Sequence, residues 1–179
     1  MPSTRRRTTH AAPSRPALQR ILRGIRLFAT DVDGVLTDAG MYYSESGDEF
    51  KKFHTRDGMG IKLLQKAGII TAIITQESTK MVMRRAQKLT IPEVHQGAYD
   101  KLSVLHDLVA RHGITLEQVA YIGDDVNDLP ALKAVGLSAS PADGMPVVHS
   151  VVRYICRKNG GEGAVRELAD LILDAQQDG

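Results

Sequence analysis

The chain has 179 residues, 42% of them hydrophobic, a formal net charge of +2, no Trp and a single Cys, which excludes an intrachain disulfide and fits a reducing compartment such as the cytoplasm. No apolar run approaches the roughly 20 residues that a membrane span needs. The positive balance is local: residues 1–26 hold seven Arg and no acid, leaving 16 basic and 21 acidic side chains over 27–179, so a nucleic-acid footprint is not supported.

Segment 1–24 is Arg-rich, acid-free and dotted with Ser and Thr, the composition of a disordered tail or an organelle transit peptide. One domain is therefore expected over 25–179, and "LQRILRGI" (18–25) has the pattern of a short amphipathic helix leading into it. "IRLFATD" (25–31) reads as a buried strand, and "MYYSESGDEFKKFHT" (41–55) as a hairpin turning at Gly47. "DGMGIKLLQKAG" (57–68) is helical, with Met59, Ile61, Leu63, Leu64 and Ala67 on its apolar side. "IITAIIT" (69–75) is an unbroken β-rich run, as in a central parallel strand covered on both faces.

Helices over 78–89, 101–113, 127–136 and 163–177 alternate with strands near 93–97 and 118–125, and "GLSAS" and "VVRYIC" supply two more strands. This order predicts a doubly wound, Rossmann-like α/β parallel sheet with helices on both faces, a small β-hairpin insertion and no cap domain.

Loaded residues follow three of these strands or open a helix. Asp31 and Asp33 end the first strand, where residues two apart share a face. Thr75 ends the next, Lys101 opens a helix, and Asp124, Asp125 and Asp128 follow "VAYIG". In a parallel sheet these loops converge on one edge. Carboxylates, a hydroxyl and an ammonium in one place suit Mg²⁺ and phosphate oxygens. On the Asp pair alone, an acidic turn remains open beside the cation site.

"DVDGVLTD", Thr75, Lys101 and "GDDVND", in that order, resemble the four motifs of the haloacid dehalogenase-like phosphohydrolases. The resemblance implies Asp31 as nucleophile and Asp33 as general acid/base. Mg²⁺ is then held by Asp31, Asp124 and the backbone carbonyl of Asp33, the phosphoryl oxygens by Thr75 and Lys101, and Asp125 and Asp128 orient Lys101 and metal-bound water. Over 25–170, "KKFHTRDGMGI", "QGAYDKL", "VAYIGDDVND" and "NGGEGAVREL" resemble more closely the small phosphatases of 3-deoxy-D-manno-octulosonate 8-phosphate and of nononate 9-phosphates. Gaps of 41, 25 and 22 residues between Asp33, Thr75, Lys101 and Asp124 leave no room for a cap. The resemblance implies a homotetramer with hairpins joined at its centre and the C-terminal segment reaching a neighbouring site, with no membrane or nucleic-acid partner.

The resemblance also places His54, Thr55, Arg56, Asp57, Gly58, Lys62 and Arg85 against a sugar acid phosphate, together with Asp33 and Lys101. Glu77, in "TQE", and Glu162 depart from the octulosonate pattern toward the nononate one. Glu77 and Lys88 are 11 residues apart, close to one helical face, and one reading has both facing a single pocket. On that reading the nononate ester is hydrolysed at least as well as the octulosonate ester; on the other, Glu77 caps a helix and Lys88 is solvated. Cys156 reads as a core thiol. Two further classes compete: a phosphomutase, which usually needs a cap, and a non-catalytic oligomerisation module like those fused to sugar cytidylyltransferases, in which the motifs are degraded.

Overall fold

The structure is a computed structural model that describes residues 13–177. Eight strands form in chain order: β1 (Leu27–Thr30), β2 (Tyr42–Tyr43), β3 (Glu49–Phe50), β4 (Ile70–Ile74), β5 (Glu93–His95), β6 (Val119–Ile122), β7 (Leu137–Ser140) and β8 (Tyr154–Ile155). The helices are α1 (Arg15–Arg23), α2 (Thr55–Lys66), α3 (Lys80–Leu89), α4 (Lys101–His112), α5 (Leu129–Ala134), α6 (Pro146–His149) and α7 (Ala164–Gln177). Six strands make one parallel sheet in the order β5-β4-β1-β6-β7-β8, and β2 and β3 pair antiparallel outside it.

Strand alternation builds two cores. Phe28, Ile73, Ala120 and Ile122 face α1, α2, α3 and α7, while Leu27, Ala29, Ala72, Ile74, Val119 and Tyr121 face α4, α5 and α6. Helices therefore cover both faces, as the unbroken apolar strands require. The chain leaves β1 for β4 and β5 on one side, then crosses to β6 on the other. That reversal opens a crevice beyond the carboxyl ends of β1 and β6, where open α/β sheets bind ligands. The only insertion after β1 is the hairpin, so no cap forms among the described residues.

Two expectations change. The helix foreseen over 18–25 begins at Arg15 and docks on α7: Leu22 is buried, Arg23 Nε donates to the Ala175 carbonyl at 3.2 Å, and Gln176 Nε2 donates to the Ile25 carbonyl at 2.9 Å. Its stripe Leu18, Ile21 and Leu22 supplies apolar cover, so residues 15–24 are not a disordered tail; residues 1–12 lie outside the described residues. In α2, Met59 faces solvent, as does Ala67 just past its end, and the buried residues are Asp57, Gly58, Gly60, Ile61 and Leu64. Gly60 allows the approach of α7, since a Cβ there would stand 3.0 Å from the Arg166 Cα.

Candidate active site

Asp31 follows β1, and Asp124 follows β6 after Gly123. The two strands are hydrogen-bonded neighbours, so the side chains meet at the crevice. Asp31 Oδ1 accepts the Val32 amide at 2.7 Å, and Asp31 Oδ2 lies 2.8 Å from Lys101 Nζ. Lys101, almost wholly buried at the start of α4, also donates to Asp128 Oδ1 at 2.6 Å. Asp128 is saturated: its Oδ1 also accepts the Tyr121 hydroxyl at 2.6 Å, and its Oδ2 accepts the Asp124 and Asp125 amides at 3.0 and 3.3 Å. Gly123 is needed beside it, because a Cβ there would collide with the Asp128 carboxylate.

Burial, reinforced by the Asp128 charge and opposed by Lys101, raises the Asp31 pKa to about 7. Burial, then the charges of Asp31 and Asp128, raises that of Asp124 to about 8. Burial disfavours the Lys101 ammonium, but Asp31 and Asp128 more than offset this and hold its pKa above the usual lysine value. Excess negative charge is what a cation would relieve. One oxygen from each of Asp31, Asp124 and Asp128 lies within 4.8 Å of the others. Asp124 Oδ1 is buried with no hydrogen-bond partner. Gly34, at φ 80°, makes the space, since a Cβ there would run into Asp124 Oδ2. An all-oxygen donor set with an orphaned carboxylate oxygen fits Mg²⁺. Asp128 already takes two partners on each oxygen, whereas Asp31 takes one on each and Asp124 Oδ1 none, so Asp31 and Asp124 are the side chains with capacity left to hold the ion.

A cavity of about 620 Å³ opens here, lined by Asp31, Asp33, Thr75, Glu77, Tyr99 and Asp124 among others. Thr75, foreseen as a phosphoryl contact, is buried at its floor, its amide donating to the His95 carbonyl at 2.9 Å. Asp33 lines the cavity but its carboxylate pairs with Lys51 Nζ at 2.6 Å, and Glu77 Oε2 takes the same ammonium at 2.7 Å.

Other expected positions lie elsewhere. Asp125 accepts the Val126 amide at 2.6 Å and caps the turn over Val126–Asp128, so Asp128 alone of that pair holds Lys101. Glu77 precedes α3, whose N-cap is Thr79, so it neither caps that helix nor shares a helical face with Lys88; Lys88 is exposed and does not line the cavity. His54, Thr55, Arg56, Asp57, Gly58, Lys62 and Arg85 do not line the cavity either. Lys62 donates to the Thr90 hydroxyl at 2.6 Å. Arg85 donates to the His54 carbonyl at 2.9 Å and stacks 5.5 Å above Phe53, passing close over Gly58, where a Cβ would crowd its guanidinium. Asp57 is fully buried and latches the start of α7: Oδ2 accepts the Gly163 amide at 3.2 Å and Oδ1 the Arg166 amide at 2.8 Å. Thr55 and Arg56 are exposed, Arg56 on a separate surface cavity with Glu162.

Sequence reasoning missed Lys51, Tyr121 and the latch. Period-two alternation puts Glu49, Lys51 and Phe53 on the inner side of the hairpin, a signal that was there to be read. Cys156 is a buried core thiol whose pKa is pushed far up by burial. No helix of the described residues is long and apolar enough to cross a membrane.

The chain is similar to several known proteins. Residues 87–168 match the family described as haloacid dehalogenase-like hydrolase. The 3-deoxy-D-manno-octulosonate 8-phosphate phosphatase of Haemophilus influenzae is 42% identical over 159 residues, spanning 89% of this chain and 88% of the relative. That of Yersinia pestis is 47% identical, over 85% of this chain and 81% of its own. The crystal structure of the Moraxella catarrhalis phosphatase with magnesium, phosphate and KDO superposes with a TM-score of 0.87, at 45% identity, covering 90% of this chain and 92% of that one.

Proposed function

This chain belongs to the haloacid dehalogenase-like hydrolases, among the 3-deoxy-D-manno-octulosonate 8-phosphate phosphatases, and from that premise we propose that it is a Mg²⁺-dependent phosphomonoesterase acting on this sugar acid phosphate in the cytoplasm. The observation that carries the reading is the orphaned Asp124 oxygen beside an Asp31 carboxylate fixed by Lys101 and the Val32 amide.

Asp31, Asp124 and the Asp33 backbone carbonyl would hold Mg²⁺, which when bound neutralises charge between nucleophile and phosphate and orients the phosphoryl oxygens. Without such help, a carboxylate approaching a phosphate meets repulsion of about 4 kcal/mol per pair of unit charges at 4 Å. Lys101 and the Thr75 hydroxyl take up the remaining phosphoryl oxygens. An Asp31 oxygen bonds to phosphorus as the P–O bond to the sugar breaks, and Asp33 gives its proton to the departing oxygen. Asp33 then takes a proton from water while the water oxygen attacks phosphorus. The bond to Asp31 breaks, and inorganic phosphate and the free carboxylate are restored.

A cavity without a cap needs cover from outside the chain. The hairpin exposes Met41, Tyr42, Tyr43 and Phe50, an apolar tip suited to joining copies as a homotetramer. The eight-carbon acid is favoured over the nine-carbon one. Glu77 is engaged by Lys51 rather than Lys88, so only its place at the cavity supports the longer substrate.

The test is phosphate release from a panel of 2-keto-3-deoxy sugar acid phosphates with and without Mg²⁺. Mg²⁺-dependent turnover that is fastest on octulosonate 8-phosphate is expected. Equal or faster turnover of nononate 9-phosphate would overturn the substrate choice. No release from any ester by an intact oligomer would replace the enzyme with an assembly module.

A further inference from the structure

Lys51 has no part in the reaction as written above, yet its setting is unusual for a hairpin lysine. It follows β3 between two exposed neighbours, Phe50 and Lys52, but only 1% of its side chain is accessible. Its ammonium sits between two carboxylates, Asp33 at 2.6 Å and Glu77 at 2.7 Å, which are 32% and 42% exposed. Those carboxylates come from different parts of the fold, the turn after β1 and the loop after β4, so the lysine ties the hairpin to both.

The geometry points to Lys51 as the positioning residue for Asp33, with Glu77 as its brace. This rests on the phosphatase reading above. Among the described residues, no other side chain hydrogen-bonds the Asp33 carboxylate. Lys51 takes Oδ1, and the residue lines the cavity with Oδ2 unengaged. A group that must reach one oxygen of a departing sugar gains rate only if it is held in place, since small misplacements of a catalytic group cost large factors. Glu77 explains how a buried ammonium can serve this purpose. When Asp33 turns its hydrogen bonding toward substrate, Lys51 keeps one carboxylate partner and is not left as an unpaired buried charge. The hairpin enters the site by the same contact: its outer side is the exposed apolar tip, its inner side the lysine.

The experiment compares two leaving groups in the full chain with Mg²⁺. A sugar alkoxide needs the Asp33 proton to leave, whereas p-nitrophenolate leaves without it. For Lys51→Met, kcat/KM on the sugar acid phosphate should fall about 100-fold, the size of a typical general-acid contribution, but on p-nitrophenyl phosphate by no more than about threefold. Lys51→Arg should recover most of the loss on the sugar ester. Glu77→Gln, at a half-exposed position that tolerates the change, should give the same selective loss at about tenfold, and it decides the matter if Lys51→Met does not fold. Parallel losses on both esters, or none on either, would overturn the role of Lys51. A wild-type chain inactive on both would instead remove the phosphatase reading itself.

Discussion

Asp57→Asn separates a latch from a substrate contact. The Asp57 carboxylate is fully buried in the first turn of α2 and accepts the Gly163 and Arg166 amides at 3.2 and 2.8 Å, across more than 100 residues of chain. Each is a hydrogen bond to an ionised acceptor, with a contribution of about 1.5–3 kcal/mol. Asparagine keeps the volume and one acceptor but presents an N–H to the other amide, so one bond is lost and two buried donors, that amide and the asparagine NH2, are left facing each other unpaired. Against this stands the cost of burying the charge, which holds the Asp57 carboxyl above its usual range despite those two bonds. The net loss is about 2–3 kcal/mol, which for a domain of this size lowers the melting temperature by about 4–12 °C. Thermal unfolding of wild type and variant, with KM measured well below both transitions, is the assay. An unchanged melting temperature together with a tenfold rise in KM would show that Asp57 touches substrate and that the latch contributes nothing.

Asp31→Asn should abolish turnover while the fold persists by circular dichroism; measurable turnover would refute the nucleophile assignment. Gly34→Ala puts a side chain at φ 80° into the Asp124 carboxylate, so turnover should fall at least tenfold with a melting shift of only a few degrees; full activity would show that the close approach is not needed. Asp31 and Asp124 are raised from 3.8 to about 7 and about 8. In the metal-free protein the folded state therefore binds more protons than the unfolded one. Their contribution to stability is complete below pH 3.8 and is lost as pH rises through 7 and 8. Since Mg²⁺ competes with those protons, its increment in melting temperature should grow from pH 6 to pH 8.5 at constant concentration; an increment that is flat or falls with pH would show that these carboxylates do not hold the ion.

The sheet was legible because its strands are apolar on both faces. "LFAT", "ITAII" and "VAYI" have no charge to expose, and only a parallel arrangement with helices on both sides hides them. The short helix Pro146–His149 escaped notice because four residues cannot show a helical period. Helix α1 was half visible: its apolar stripe could be read, but seven Arg in the surrounding segment masked it, and the α7 surface that receives it comes from the far end of the chain.

The same physics divides the site. Asp31, Asp33, Thr75, Lys101 and Asp124 stand at the ends of strands or the start of a helix, so once the sheet order is right their convergence follows from backbone geometry alone. The side chains read less well are those whose role depends on a partner distant in sequence. Asp57 in "TRDG" has the look of a binding loop, yet its partners are backbone amides of residues 163 and 166 that no local pattern announces. Glu77 illustrates the opposite hazard. An 11-residue spacing to Lys88 has meaning only if both lie on one helix, and α3 starts three residues too late. Its real partner, Lys51, is reached across the hairpin, at a position where alternation along the strand was the sole clue. A charged residue on the inner face of a hairpin beside an acidic site must find a counter-charge there, because leaving a buried ammonium unpaired costs more than the hairpin could offset. In "DEFKKFHT" the inner position is Lys51 rather than Lys52, and the acids that meet it, Asp33 and Glu77, stand beyond the ends of β1 and β4.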